Sequence, residues 1–253
     1  KEGHDTSGNG GGAIFTESGT ITISDSALID NVSDSGGGGG GLRKFGPGVV
    51  TIINTLISGN SALDEFQQGA GGGVRNDNQK LTLINSTISN NRAATGGGLA
   101  SHRGVLEISS STVTGNSAIN FGGGIDSNSE IILANSIVAG NTASSEKEVS
   151  FFSVDDHPFV SKGHNIFGEN GISGVSSSIV LANTDLILAG ALHTLIEPLA
   201  DNGGTTLTHL PVIDGGAINS GDNGLIPQGT ATDQRGFGFS RVSNGSVDIG
   251  AVE

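Results

Sequence analysis

The sequence contains no cysteine, methionine, tryptophan or tyrosine, and its only aromatic side chains are ten phenylalanines. Without cysteine, neither a disulfide framework nor a cysteine-ligated zinc site is available to stabilise a fold. Only 34% of the 253 residues are hydrophobic, whereas 44 are glycine. We therefore expect thin layers of small and branched aliphatic side chains, stabilised by hydrogen bonds and repeat stacking, rather than one broad core.

Positive charge is also scarce. Eleven Lys and Arg residues stand against 25 Asp and Glu residues, which gives a formal net charge of −14 at pH 7. This balance argues against nucleic acid or an anionic membrane as the main partner, because both repel an acidic protein. Cations and neutral glycans are more compatible partners.

Long hydrophobic runs are absent as well. No stretch approaches the ~20 consecutive apolar residues of a membrane span. The chain opens at Lys1 without an initiator Met or the apolar core of a signal peptide. We expect a mature or excised fragment of a longer protein.

Repetition is what the sequence has in abundance. Five asparagines recur at steps of 29, 31, 25 and 25 residues, and an Asn, Asp or Ser lies six positions before each of them. Glycine triplets follow a similar step. A period in this range indicates a solenoid or a related repeat architecture. The recurring asparagines are Asn31, Asn60, Asn91, Asn116 and Asn141, and the triplets end at Gly12, Gly41, Gly73, Gly98 and Gly124.

Each repeat contains alternating aliphatic and polar residues, as in Leu81-Thr82-Leu83, which predicts a strand with one buried face. We expect a second short strand after each six-residue step and a third after each glycine triplet. Three strands per ~25 residues predict an all-β, right-handed parallel β-helix. We assign residues 1–160 to its coils. Residues 161–253 are expected to continue the same solenoid as shorter or irregular coils and to cap its open strand edges.

The recurring asparagines and the polar residues six positions before them are expected to form two columns along the solenoid, and there is a physical reason for such columns. An inward Asn can hydrogen-bond to the Asn one coil above and below, which satisfies buried amides along the axis. We therefore predict axial asparagine ladders whose inward members include Asn60, Asn85, Asn91, Asn116 and Asn135. The glycines allow positive φ and close backbone approach at the corners between strands.

The C-terminal third contains five distinctive phrases: SKGHNIFG (161–168), PLADNGGTTLTHL (198–210), IDGGAINSGDN (213–223), DQRG (233–236) and VDIGAVE (247–253). With the repeats over roughly residues 10–143, they resemble bacterial parallel β-helix proteins of the pectate-lyase-like superfold that carry a choice-of-anchor Q domain. The resemblance implies a secreted or cell-surface location in a bacterium. Thr205 departs from the pattern, because that family usually has Pro there.

Several basic side chains follow the glycine triplets directly. Since neighbouring coils lie ~4.8 Å apart, we predict that these residues form one outward basic patch. An acidic glycan is the expected ligand, and the alternative is a solvated face on which the charges merely balance nearby acids. The candidate glycan-binding residues are Arg43, Lys44, Arg75, Asp77, His102, Arg103 and Asp126.

Two functional classes remain open at this point. The favoured function is an extracellular structural or adhesive module that presents its surface to a polysaccharide or a cell-surface glycan. The alternative is a polysaccharide lyase or epimerase, which needs cations to neutralise a carboxylate and a base to remove the adjacent proton. The catalytic candidates would then be Lys44, Arg75, His102 and Arg103.

Metal binding has weaker signals. Asp155, Asp156, His157 and His164 form an acidic and imidazole cluster in a long insertion, which fits either a metal or acid–base site or a solvated loop. The sequence indicates no definite cofactor, and calcium is the candidate, because it prefers several oxygen ligands. Its candidates are Asp201, Asp214 and Asp222, and the alternative for these three is turn capping.

Overall fold

A computed structural model describes residues 3–5, 10–34, 36–77, 80–152 and 157–253. Over these residues the chain forms a parallel β-solenoid of about six turns. Its strands stack in four parallel columns, one strand per coil in each column. The predicted fold class, an all-β parallel solenoid with repeated coils, is confirmed.

The four sheets have the following strand bounds. Sheet 1 contains β1 (His4–Asp5), β5 (Val32–Ser33), β9 (Ser61–Ala62), β13 (Arg92–Thr95) and β17 (Ser117–Phe121). Sheet 2 contains β2 (Ile14–Thr16), β6 (Leu42–Phe45), β10 (Val74–Asp77), β14 (Leu99–His102), β18 (Ile125–Ser127) and β21 (Val149–Phe151).

Sheet 3 contains β3 (Ile21–Ser24), β7 (Val50–Ile53), β11 (Lys80–Ile84), β15 (Val105–Ser109), β19 (Glu130–Ala134) and β22 (Phe159–Ser161). Sheet 4 contains β4 (Ala27–Ile29), β8 (Leu56–Ser58), β12 (Thr87–Ser89), β16 (Thr112–Thr114), β20 (Ile137–Ala139), β23 (Ile166–Phe167) and β24 (Leu186–Ile187). Two 3-10 helices follow, η1 (Leu192–Thr194) and η2 (Asn223–Leu225).

The number of strands per coil differs from the prediction. We expected three, and sheet 1 supplies a fourth. Its strand β9 is only two residues long, so it has no alternating pattern that a sequence could display. This fourth strand follows the buried asparagine and precedes the next glycine triplet in the four coils of Asn31, Asn60, Asn91 and Asn116.

The solenoid core is a set of aliphatic columns. On sheet 3, Leu81 and Leu106 are register partners, as are Leu83 and Ile108, and all four side chains are buried. The intervening Thr82 lies on the outer face and pairs with Glu107 of the next coil. Each fully buried aliphatic side chain contributes roughly 1.5–3 kcal/mol to stability, so regular stacking compensates for the small number of hydrophobic residues.

One predicted asparagine ladder runs through the core. The side-chain amide Nδ2 of Asn31 donates to Oδ1 of Asn60 at 2.7 Å, and the same bond joins Asn60 to Asn91, Asn91 to Asn116 and Asn116 to Asn141 at 2.9 Å. The backbone N–H of each donor residue reaches the same acceptor oxygen. All five asparagines are buried, and Glu148 accepts the last bond.

The second predicted column forms side-chain bonds between coils only at its N-terminal end, where Nδ2 of Asn54 donates to Asp25 at 3.0 Å and Nδ2 of Asn85 donates to Oδ1 of Asn54 at 3.4 Å. Its members, among them Asp25, Asn85 and Asn135, occupy the left-handed region with φ between 45° and 48°, which short polar side chains tolerate best. Asp25 is exposed. Asn85 and Asn135 are buried because they donate to backbone oxygens of Thr232 and Asp222 in the C-terminal part of the chain. Asn85 and Asn135 are thus buried as predicted, but the C-terminal part of the chain buries them, and they do not belong to one continuous ladder.

A serine and threonine ladder takes that inward place instead. The backbone N–H of Thr55 donates to the hydroxyl of Ser86 at 3.1 Å, and equivalent bonds of 3.2 Å join Ser86 to Ser111 and Ser111 to Ser136. These residues directly follow the left-handed corner. Sequence reasoning missed this ladder, because serine is common in the chain and its recurrence was masked by the more conspicuous asparagine.

Each glycine of a triplet has its own physical cause. In the triplet 71–73, Gly71 has φ +69°, where an L side chain is strained. A Cβ on Gly72 would collide with the carbonyl oxygen of Gly97 in the next coil. A Cβ on Gly73 would lie 3.2 Å from Cγ of Asn91, so the triplet leaves room for the asparagine ladder.

Residues 192–253, which we name the C-terminal strap, lie along the outer side of sheet 4. Gln234 accepts a hydrogen bond from the hydroxyl of Thr87, and the backbone N–H of Ala251 donates to the hydroxyl of Thr112. These contacts reach several successive coils, so the strap covers the side of the solenoid, whereas β23 and β24 of the C-terminal third continue sheet 4 as short coils. Within the described part of the chain, no helix is long and apolar enough to cross a membrane.

Candidate functional site

The outer face of sheet 2 carries most of the predicted binding residues. Parallel register places Arg43 beside Arg75 in one column, which continues through Ala100 to Asp126. Two residues further along the strands, a second column contains Phe45, Asp77 and His102. The predicted gathering of these residues on one face therefore matches the structure, because a constant register repeats each outward position from coil to coil.

Asp77 lies at the centre of this face. Its carboxylate accepts two hydrogen bonds from Nε of Arg75, at 3.0 and 3.2 Å, and lies 3.6 Å from Nε of Arg43. Only 8% of the Asp77 side chain is exposed. Burial raises the pKa of Asp77, but His102 and Arg75 lower it more, and the net pKa is below the ordinary value. Asp77 is therefore ionised and fixes the orientation of its cationic neighbours.

His102 lies between two carboxylates. Its Nδ1 is 3.5 Å from Asp77, and its Nε2 is 3.7 Å from Asp126. Asp126 and then Asp77 raise the pKa of His102 to about 9, against the opposing effects of burial and of Arg75. The imidazole consequently carries a positive charge at neutral pH.

A cleft of about 320 Å³ opens above this cluster, which we name the sheet 2 cleft. Arg103 lies at the rim of the cleft, and its side chain is exposed. Its backbone has a positive φ of 57°, and its backbone N–H donates to Oδ1 of Asn128 at 2.9 Å. Phe45 presents a ring that is 47% exposed. The lining residues are Phe45, Arg75, Asp77, His102, Arg103 and Asn128.

Lys44 does not belong to the outer face, contrary to its predicted place in the patch. It follows the core residue Leu42 by two positions, so the strand alternation turns it inward, and its side chain is fully buried. Its ammonium donates to the backbone oxygens of Phe45, Gly46 and Pro47 at 3.3, 3.0 and 2.9 Å. Burial lowers the pKa of Lys44. The patch is therefore a mixed cluster of arginine, imidazolium and carboxylate.

This arrangement favours recognition of an anion over proton abstraction. His102 already carries its proton at neutral pH, and the buried Lys44 cannot reach a ligand in the cleft. An arginine would have to act as the base in a lyase reaction. Four cations, Arg43, Arg75, His102 and Arg103, accompany two carboxylates, so the face has a local excess of positive charge in a chain of net charge −14.

The other predicted sites are less convergent. Asp201 and Asp222 accept backbone N–H bonds from Gly203 and Gly224, which is the turn-capping alternative. Asp214 is an exposed residue at φ 63°. Across the described ranges, no group of three His, Cys, Asp or Glu side chains is placed to hold a metal ion.

Only part of the acidic and imidazole cluster in the long insertion lies within the described residues. Asp155 and Asp156 lie outside the described residues, and His157 is partly buried. His164 joins the solenoid to the strap, because its Nδ1 lies 2.7 Å from the backbone oxygen of Ser220. His164 thus has a structural contact that its sequence did not indicate.

Two residues that line the cleft, Asn128 and Phe45, are not among the predicted binding residues, and Phe45 is the more informative of the two. Its signal was available, since a residue two positions after Arg43 shares the same strand face. The charges of Arg43 and Lys44 dominate this segment, and a single exposed phenylalanine has no charge or repeat pattern that indicates a binding role.

Comparison with known proteins gave no match, neither to a family model, nor to a curated protein, nor to a solved structure. The likeness of the C-terminal phrases to choice-of-anchor Q domains therefore stays a prediction.

Proposed function

We propose that this chain is a structural or adhesive module of the bacterial cell surface or of a secreted protein, and that its sheet 2 cleft binds an acidic glycan. The observation that carries the proposal is the cleft itself, where Arg75, His102 and Arg103 line a cavity together with the exposed ring of Phe45. The C-terminal phrases, through their resemblance to the choice-of-anchor Q group, support the cell-surface location.

The chemistry of the lining fits a sugar acid. Guanidinium and imidazolium groups donate charge-assisted hydrogen bonds to a carboxylate. Asp77 and Asn128 supply oxygen atoms at the same wall for sugar hydroxyls, and a phenyl ring provides an apolar platform for the C–H face of a pyranose. Arg75 is held in place by Asp77 and by the carbonyl oxygen of Gly37 at 3.0 Å, so its orientation needs little reorganisation on binding.

Calorimetric titration with pectate, alginate and glycosaminoglycan fragments tests the proposal. Arg103→Ala removes an exposed cation at the rim, and we expect affinity to fall about 5- to 30-fold, the effect of one to two kcal/mol. Arg92→Ala is the matched control, because Arg92 is exposed on β13 of sheet 1. Binding should also weaken with salt, since the Debye length is ~8 Å at physiological ionic strength.

Two results would contradict the proposal. If no acidic glycan binds at low salt, the cleft has no such role. If the same mixtures release an ultraviolet-absorbing unsaturated sugar, the chain is a lyase, and the alternative with catalytic Arg75, His102 and Arg103 replaces simple binding.

A further inference from the structure

The outer column that lines the sheet 2 cleft extends beyond it in the direction of the C terminus. Ser101, Ser127 and Phe151 are successive register partners. The backbone N–H of Asn128 donates to the oxygen of Ser101, and the backbone N–H of Phe152 donates to the oxygen of Ser127 in the same way. Phe152 therefore occupies the next coil's equivalent of Asn128.

The part of this column from Phe45 to Phe152 has an aromatic ring at each end and polar groups between them. Its members in coil order are Phe45, Asp77, His102, Asn128 and Phe152. Phe45 is 47% exposed and Phe152 is 75% exposed. Single exposed hydrophobic residues are common on protein surfaces. Two phenylalanines at the two ends of one charged column are a spaced pair of apolar platforms.

The neighbouring column has small side chains at two places in the C-terminal half of this surface, and its members are Arg43, Arg75, Ala100, Asp126 and Ser150. Its central residue is Ala100, a buried position with a small side chain, and Ser150 is buried at the coil that contains Phe152. Bulky outward side chains at these positions would obstruct a ligand that runs from coil to coil. The floor is therefore low from His102 towards Phe152, whereas Arg43 and Arg75 border the half of the surface that ends at Phe45.

We propose that the sheet 2 cleft is the centre of a longer binding track that runs from Phe45 to Phe152 and holds an extended oligosaccharide containing uronic acids, parallel to the solenoid axis. This inference rests on the proposed glycan-binding function. Four inter-coil steps separate the two rings, which corresponds to ~19 Å at ~4.8 Å per step. Each sugar of an extended pyranose chain has a length similar to this step between coils. The track therefore accommodates roughly four to five sugars, about one per coil.

The assignment divides the track into three parts. The sugars at the two ends stack on Phe45 and Phe152. A carboxylate near the centre meets His102 and the rim cation Arg103, and Asn128 lies between this centre and Phe152. A disaccharide would occupy the cleft without reaching Phe152, whereas a pentasaccharide would contact both rings.

Isothermal titration of the whole protein with uronate oligomers of two to six sugars tests the track. We expect affinity to rise with length up to four or five sugars and then to level off. Phe152→Ala should lower the affinity for the pentasaccharide about 5- to 30-fold and leave the disaccharide unchanged, whereas Phe45→Ala should weaken both. Phe237→Ala is the matched control, because Phe237 is a fully exposed ring in the strap. Circular dichroism checks that each variant is folded.

The possible failures separate the track from the cleft. If oligomers bind but length has no effect, or if Phe152→Ala behaves like Phe237→Ala, the track is wrong and the cleft proposal stands. If a neutral oligosaccharide of the same length binds equally well, the uronate assignment is wrong. If no oligomer binds at any length, the cleft proposal itself falls, and the track falls with it.

Discussion

The end of the asparagine ladder allows a sharp test of how this solenoid is stabilised. Glu148 is 1% exposed and accepts hydrogen bonds from Asn141, at 2.5 Å from the side-chain Nδ2 and 3.3 Å from the backbone N–H. Burial raises the pKa of Glu148 to about 8 from an ordinary value of 4.5, although the bonds from Asn141 act in the opposite direction. A carboxylic acid thus occupies the place where another asparagine would continue the ladder.

The sign of the resulting pH dependence follows from proton linkage. The folded state binds the Glu148 proton more tightly than the unfolded state, so this group destabilises the fold progressively as the pH rises from about 4.5 to about 8. The difference of about 3.5 pH units corresponds to roughly 5 kcal/mol above pH 8 and roughly 3 kcal/mol at pH 7, at 1.36 kcal/mol per unit. Below pH 4.5 the effect disappears.

Glu148→Gln is the informative change, because glutamine keeps an acceptor for Asn141 and stays neutral at every pH. We expect the variant to match the parent protein near pH 4 and to exceed its free energy of unfolding by about 3 kcal/mol at pH 7. Urea unfolding at several pH values between 4 and 9 measures this difference. Glu17→Gln, at an exposed position, controls for the loss of one negative charge.

His102 must be separated from Glu148 in this experiment. Its raised pKa contributes stability that is present below about pH 6.5 and lost as the pH rises through about 9, the same direction as for Glu148. The quantity to compare is therefore the free energy of unfolding of Glu148→Gln minus that of Glu17→Gln at each pH, since both variants retain His102. Parallel stability curves for these two variants would refute the assignment of a protonated carboxyl to the ladder.

Three further outcomes are expected. Asn91→Leu should cost at least ~1–3 kcal/mol of unfolding free energy, because Asn60 and Asn116 lose ladder partners, whereas the exposed Asn120→Leu should cost little in the same urea measurement. Glycan affinity should fall as the pH rises through about 9, where His102 loses its charge, and an NMR titration of its ring should show the same midpoint; a pH-independent affinity would exclude His102 from binding. Gln234→Ala should loosen the strap and speed its proteolysis, since the buried Gln234 joins Thr87 to Thr206, and unchanged cleavage would contradict that role.

The solenoid was predictable because its determinants are periodic. Asn91 and Asn116 are one coil length apart in the sequence and are buried at equivalent positions of successive coils. The alternation of Leu81 and Leu83 with polar residues shows which face of the strand is buried. The same reasoning predicted that Asn85 is buried but not how, because its side chain donates to the backbone oxygen of Thr232, a residue 147 positions away. No local pattern contains that contact.

Parts of the site were predictable for the same reason. Asp77 and His102 are 25 residues apart, one coil length, and the register brings them together. The sequence prediction assigned Lys44 to the outer face because of its charge, and this assignment was wrong. Lys44 lies two residues after the buried Leu42, so the alternation of the strand turns both side chains to the inner face. The shifted pKa of His102 depends on distances of 3.5 and 3.7 Å to two carboxylates, and these cannot be read from spacing alone.

The ladders and the outer columns are physically coupled. The coils from Thr55 to Ser136 repeat the hydrogen bonds of both an asparagine and a serine or threonine, so the distance between neighbouring coils is set inside the core and passed to the surface through short strands. An outward column is therefore a rigid row of side chains at ~4.8 Å intervals. A flexible loop would have to be ordered before it could match a repeating ligand, at a cost in conformational entropy. Here that cost is met during folding, which is why a chain so poor in aromatic and basic residues can still present Phe45, His102 and Phe152 in one fixed line.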